Sequence, residues 1–183
     1  MPLAAHVAPH CAQLTLSTPL GDALIARSPR GVTGLWFEGQ KDHPGALPHV
    51  PVCDDDAVLV SCVQQLHQYW QGQRQCFDLP LDLHGTAFQI EVWRALLEVP
   101  CGSLTTYGQL ARQLGRPQAS RAVGAAVGLN PISVIVPCHR VVGSQGSLTG
   151  YAGGLDRKVS LLAQEGLRMR GSRVSMPHTA PLF

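Results

Sequence analysis

The chain has 183 residues, 45% of them hydrophobic, and 14 basic side chains against 12 acidic ones give a formal charge of +2. These values exclude a disordered polymer and leave room for one substantial core or two small lobes. They also exclude the strong positive field of a protein that grips nucleic acid mainly by neutralising phosphates.

No apolar run approaches the roughly 20 residues that span a bilayer. Met1-Pro2-Leu3-Ala4-Ala5-His6 also lacks a charged region followed by an apolar one. Six cysteines (Cys11, Cys53, Cys62, Cys76, Cys101 and Cys138) are scattered without paired spacing, which suits reduced thiols better than a disulfide framework. The expectation is a cytoplasmic protein with no membrane partner.

Leu14-Thr15-Leu16, Ala23–Ala26 and Val32–Phe37 are short apolar runs split by Pro19-Leu20-Gly21-Asp22 and Ser28-Pro29-Arg30-Gly31, a pattern that predicts an antiparallel meander. Lys41 to Val52, rich in Pro, His and Gly, reads as a surface loop. Asp54, Asp55 and Asp56 favour a helix start, and Val58, Leu59, Cys62, Val63, Leu66, Tyr69 and Trp70 recur at helical spacing until Gly72. This helix should cover the meander, giving an N-terminal α/β lobe over residues 1–84, with Cys76 to Gly85 crossing to the next lobe.

Residues 85–168 read as a mainly helical lobe. Phe88, Val92, Trp93, Leu96 and Leu97 share one helical face, stopped by Pro100. Tyr107, Leu110, Ala111 and Leu114 form a short amphipathic helix ending at Gly115, Arg116-Pro117 turns the chain, and Ala119 to Leu129 forms a second helix. Short helix, tight turn and second helix make a helix-turn-helix pattern, which αα-hairpins that never meet DNA share. The second helix is nearly bare, with Ala122, Gly124, Ala125, Ala126 and Gly128, and each interior glycine costs about 1 kcal/mol relative to alanine. So thin a helix suits either insertion into a narrow minor groove or close packing on a neighbouring strand.

Val134-Ile135-Val136 reads as a buried strand that Pro137 ends, so Cys138 is expected to emerge facing a cleft with His139 beside it. A neutral imidazole can take a thiol proton and leave the more nucleophilic thiolate. A buried structural cysteine next to a solvated histidine is the bland alternative. Leu155, Val159, Leu162 and Ala163 define a last helix closed by Gly166. Glu165 then lies in its final turn, where the macrodipole disfavours a negative charge by about 0.3–1 kcal/mol, so a partner is expected. Residues 169–183 lack periodicity and read as a flexible tail.

Val136-Pro137-Cys138-His139-Arg140-Val141-Val142 resembles the active-site signature of the O6-alkylguanine-DNA alkyltransferases, suicide repair proteins that move an alkyl group from guanine onto a cysteine. Phe88-Gln89 with Val92-Trp93, Thr106-Tyr107-Gly108-Gln109-Leu110-Ala111, Ser120-Arg121-Ala122-Val123-Gly124, Asn130-Pro131, Gly150-Tyr151-Ala152-Gly153-Gly154 and Leu161–Gly166 resemble the same family in the same order. The likeness is strong from Thr86 to Leu167 and weak before it, and Ala152 makes the loop most similar to the stand-alone bacterial type.

The resemblance implies an α+β fold, with a ribonuclease H-like N-terminal lobe and a winged-helix-like C-terminal lobe. It implies a monomer that binds double-stranded DNA carrying O6-alkylguanine, and O4-alkylthymine as well, and repairs it once and irreversibly by flipping the base from the minor groove. By the same resemblance Cys138 is the acceptor, His139 draws its proton through a water, Glu165 orients His139, and Asn130 braces the turn. Tyr107 hydrogen-bonds the flipped base and helps protonate the leaving guanine. Arg121 fills the gap in the duplex, with Ala122, Gly124 and Ala125 on the DNA-facing helix, and Val141, Tyr151, Ala152 and Gly153 form the substrate pocket.

No cofactor is implied. His6, His10 and Cys11 do not match the structural zinc set of some relatives, so no metal is expected. Two other readings compete. A non-catalytic lesion-binding relative would lack the reactive cysteine, and a Cys-His hydrolase would turn over repeatedly.

Overall fold

The computed structural model describes residues 9–175. Strands β1 (Ala12–Thr18), β2 (Gly21–Ser28) and β3 (Gly31–Phe37) form the expected antiparallel meander in the order β1-β2-β3. Two turns set its register. Thr18 pairs with Gly21 across Pro19-Leu20, and Ser28 pairs with Gly31 across Pro29-Arg30. At Gly31 only glycine fits, because a Cβ would lie 2.3 Å from the Pro80 carbonyl oxygen.

Helix α1 (Ala57–Trp70) covers the sheet with Leu59, Cys62, Leu66 and Tyr69 buried beneath it. Of the three aspartates expected at its start, Asp56 is the cap, accepting from the amides of Val58 and Leu59 while paired with Arg27 on β2.

The C-terminal lobe carries α2 (Ala87–Leu97), α3 (Tyr107–Gln113), α4 (Ser120–Gly128) and α5 (Leu155–Gln164), with β4 (Thr105–Thr106) paired in parallel to β5 (Val141–Val142). Reciprocal boxes, Thr86 with Gln89 and Thr106 with Gln109, satisfy orphan amides at the starts of α2 and α3. The Trp93 indole donates to the Ala126 carbonyl at 2.8 Å and locks α2 against α4. One apolar cluster runs from Ile25 and Phe37 through Trp93 to Val136 and Cys138, so the two lobes share a core.

The outer edge of β3 does not face solvent. Val32 exchanges hydrogen bonds with Pro80 and Asp82, and Leu35 exchanges them with Pro131 and Ser133. The strand thereby holds the segment that precedes Cys138.

Here the expectation of a strand over Val134-Ile135-Val136 is corrected. The run is a buried succession of turns: the Ile135 amide bonds Ser133, the Val136 amide bonds Ile132, and Val134 takes φ 70. A short buried apolar run reads alike in either form, and here its amides close local turns on Ser133 and Ile132 while Asn130 takes the Val136 carbonyl, so a strand's ladder does not form. The strand lies instead after the cysteine, as β5.

The expected flexible tail is corrected in part. Met169–Arg170 and Arg173–Val174 (β6 and β7) form a hairpin, and Val174 joins a small core with Leu104, Val142 and Leu162. A two-residue strand leaves no periodicity to read. The remainder of that tail and His6 lie outside the described residues. Among those described, no helix is long and apolar enough to cross a membrane.

Candidate active site

Asn130, at the end of α4, organises the turn. Its Oδ1 accepts from the Ile132 amide at 3.0 Å, and its Nδ2 donates to the Val136 carbonyl at 2.8 Å and to Cys138 Sγ at 3.0 Å. One amide side chain thus fixes the loop and the sulfur together.

Cys138 opens a single 3-10 turn, Cys138–Arg140, and is only 5% exposed, so it does not face an open cleft as expected. Burial pushes its thiol up, while the Asn130 hydrogen bond and the Lys158 charge pull it back. A buried thiol of this kind rests protonated and needs a base.

A candidate base is the next residue in the chain. His139 is fully buried, and its Nε2 lies 2.8 Å from Glu165 Oε1. Burial pushes the imidazole down from its ordinary value, against the pull of Glu165. Burial opposes ionisation of Glu165 too, yet hydrogen bonds from His139 and Arg140 hold its carboxyl well below the usual carboxylate range. An ionised Glu165 only accepts, so Nε2 carries the imidazole proton and Nδ1 is bare. Nδ1 is buried with no hydrogen-bond partner among the described residues.

Sequence reasoning found one partner for Glu165, and the structure adds three more. Arg140 donates from Nε at 2.9 Å and from a terminal nitrogen at 2.8 Å, Tyr69 donates its hydroxyl at 2.9 Å, and the Gly102 amide donates at 3.1 Å. Glu165 is the C-cap of α5 rather than a member of its last turn, and these donors offset the dipole. Lys158 was also missed. It is fully buried, donating to the Val141 and Thr149 carbonyls, the latter at 2.8 Å, and burial pushes it down to about 8. The signal in sequence was the lysine itself, on the apolar side of an amphipathic helix.

Tyr107, Gly124, Ala125, Tyr151 and Ala152 line one cavity of about 410 Å³ together with Lys41, Asp42, Gly128, Leu129 and Gly150. Five of the predicted residues therefore meet. The Tyr107 hydroxyl accepts from Thr149 at 3.3 Å, and its ring lies where a Cβ on Gly124 would be 3.5 Å away. Gly153 lies under the Tyr151 ring, and Tyr151 buries its hydroxyl. Cys138 is not in the cavity lining. Val141 is wholly buried and presents its carbonyl to Lys158 rather than a side chain to the cavity. Arg121, Ala122 and Ala125 are exposed along one face of α4, with Arg121 outside the cavity.

All six cysteines are free. His10 bonds Thr33 at 2.8 Å and meets Trp36 edge-on, and among the described residues no group of three or more His, Cys, Asp or Glu side chains is placed to hold a metal ion.

Residues 13–83 match the ribonuclease-like domain of 6-O-methylguanine DNA methyltransferase, and residues 87–167 match its DNA binding domain. The chain belongs to the 6-O-methylguanine DNA methyltransferase family. It is 44% identical to the methylated-DNA–protein-cysteine methyltransferase of Mycobacterium tuberculosis over 82% of this chain and 90% of that one. The inducible enzyme of that name from Bacillus subtilis is 39% identical over 88% of this chain and 87% of its own length. The crystal structure of M. tuberculosis OGT in complex with DNA superposes with a TM-score of 0.79 at 43% identity, covering 85% of this chain and 93% of that one. Membership accounts for the α+β architecture, a three-stranded antiparallel sheet followed by a helical part.

Proposed function

We propose that this methyltransferase-family chain repairs double-stranded DNA by moving the alkyl group of O6-alkylguanine, and of O4-alkylthymine, onto Cys138 in one irreversible event. The observation that carries the reading is His139, whose Nε2 is committed to an ionised Glu165 while its bare Nδ1 stands next in the chain to a resting thiol. That arrangement takes a proton from sulfur and leaves the thiolate. The relatives' name, methylated-DNA–protein-cysteine methyltransferase, supplies the electrophile and the acceptor class.

In this reading α4 enters the minor groove with Arg121, Ala122 and Ala125 forward, and Arg121 occupies the space of the everted base. Tyr107 packs beside Gly124 of α4, at the wall of the cavity that receives the purine. Neither the Ala152 nor the Gly153 amide donates to another backbone group among the described residues, so both remain available to the guanine oxygen. The Tyr151 side chain, rather than the backbone of its loop, swings aside to join cavity and sulfur. Nδ1 of His139 then takes the thiol proton through a water, and Sγ attacks the alkyl carbon. The S–C bond forms as the C–O6 bond breaks, and the bonding pair stays on guanine. Overall the purine gains the proton that sulfur lost, with Tyr107 assisting. A thioether has no thiol-exchange route back, so each molecule acts once. Six free thiols suit a reducing cytoplasm.

Intact mass spectrometry after incubation with methylated duplex tests this directly. One added methyl on the peptide containing Cys138, and none on a Cys138→Ala protein that still binds DNA, is the expected result. Repeated release of product without labelling would mean a hydrolase, and binding without labelling would mean a lesion sensor.

A further inference from the structure

We propose that Arg157 is a positioning residue for alkyl transfer, because its guanidinium clamps the root of the pocket loop to the N-terminal lobe. This rests on the function proposed above. From α5 the side chain makes three carbonyl contacts on three separate segments. Nε donates to Leu20 in the β1–β2 turn at 2.9 Å, one terminal nitrogen donates to Glu38 just after β3 at 2.9 Å, and the other donates to Gly153 in the loop at 3.1 Å. The group sits 5.0 Å from the centroid of the buried Phe37 ring, so its plane is held as well as its edges. Gly21 borders the same corner, where a Cβ would stand at ordinary contact distance, 3.4 Å, from the guanidinium.

Two further carbonyl tethers accompany it. Thr149 is held by Lys158, the next residue of α5, and Ala152 accepts from the Lys41 amide at 2.9 Å. The loop therefore hangs from fixed points at Thr149, Ala152 and Gly153, and among the described residues Arg157 is the side chain that ties the Gly153 end to the sheet. Amides that must receive developing charge on the guanine oxygen are useful only if they do not have to reorganise, and a planar fork on three carbonyls supplies that rigidity. The N-terminal lobe acquires a role in the reaction by this route without touching the base.

The test compares the parent with Arg157→Ala and Arg157→Lys. Lysine keeps the charge and stem but cannot span three carbonyls in a plane. Three quantities are measured: affinity for methylated duplex by fluorescence anisotropy, the single-turnover methylation rate at saturating DNA, and amide hydrogen exchange. DNA affinity is expected to stay within about twofold in both variants, while the rate falls roughly tenfold or more in Arg157→Ala and by an intermediate factor in Arg157→Lys. Exchange protection should be lost locally, over residues 150–154. Rates within twofold of the parent, or slow transfer accompanied by loss of protection throughout the chain in Arg157→Lys, would overturn the proposal. If Arg157→Ala does not fold, Arg157→Lys decides alone. A parent that takes no methyl group would refute the functional reading instead, and the exchange pattern over 150–154 would still judge the clamp.

Discussion

Tyr69, on the helix that covers the N-terminal sheet, donates its hydroxyl at 2.9 Å to the Glu165 carboxylate that also receives His139. The two residues are 96 positions apart, so the proposed proton relay draws a side chain from the other lobe. Burial and the neighbouring carboxylate both keep this hydroxyl protonated. Tyr69→Phe should lower stability by about 1.5–3 kcal/mol, the usual range for a hydrogen bond to a buried charge. It should also slow methylation, with less effect on DNA binding. Urea unfolding together with single-turnover rates checks both.

Arg140 donates to both oxygens of the same carboxylate, and it also donates to the Val99 carbonyl. Removing its charge in Arg140→Met leaves a buried carboxylate facing only neutral donors. The expected loss is about 3–5 kcal/mol. The pH dependence follows with its sign. The Glu165 carboxyl is lower in the folded state than in the unfolded chain, so its contribution is fully present above the ordinary carboxylate range and fades as pH falls through that range and below. Unfolding midpoints of the parent should therefore decline on acidification, and those of Glu165→Gln should decline less steeply.

The peripheral elements could be read along the chain, and the centre of the site could not. The meander, α1 and the α3–α4 pair announce themselves through turn residues and spacing, which are local properties. Cys138 and His139 are adjacent, and Asn130 bonds Sγ from eight residues away, so the heart of the resemblance was legible. Tyr69, Gly102, Arg140 and Lys158 converge on the relay or on its flanking carbonyls from separations of up to 96 residues, and no periodicity encodes such meetings. Val134-Ile135-Val136 misled because burial alone sets its composition, while Asn130 and the edge of β3 set its shape.

Lys158 gives a second pH signature of opposite origin. Burial lowers its ammonium to about 8. Between about 8 and the unfolded lysine value near 10.4, the unfolded chain binds more protons than the folded one, so this group makes stability rise with pH. Below that window the burial cost is fully present. Comparing parent with Lys158→Met isolates the effect. The parent-minus-variant difference in unfolding free energy should increase across pH 8–10, and a flat difference would contradict a desolvated ammonium at this position.

Thiol reactivity should separate accessibility from activation. Cys76 is exposed, Cys62 is wholly buried and pushed up to about 12, and Cys138 is buried and also pushed up. Iodoacetamide on the native protein is expected to label Cys76 first and to leave Cys62 and Cys138 largely unmodified. Methylated duplex should reverse that order and mark Cys138 alone. Peptide mapping after each treatment reads the result, and DNA-dependent methylation at Cys76 would refute selection by the relay.

Arg121 and Gly124 test how α4 meets DNA. Arg121→Ala should slow reaction with duplex substrate far more than reaction with a free O6-alkylguanine base, since only the duplex needs an extruded nucleotide replaced; equal losses would argue against flipping. Gly124→Ala probes the bareness of the helix from the other side. A Cβ there meets the Tyr107 ring at 3.5 Å, ordinary contact distance, so the protein should fold and gain up to about 1 kcal/mol from the removed helical glycine. If thinness serves groove entry, this stabilised variant should bind duplex more weakly than its parent. Unchanged affinity alongside a raised melting temperature would mean that the small residues serve packing against Tyr107 alone.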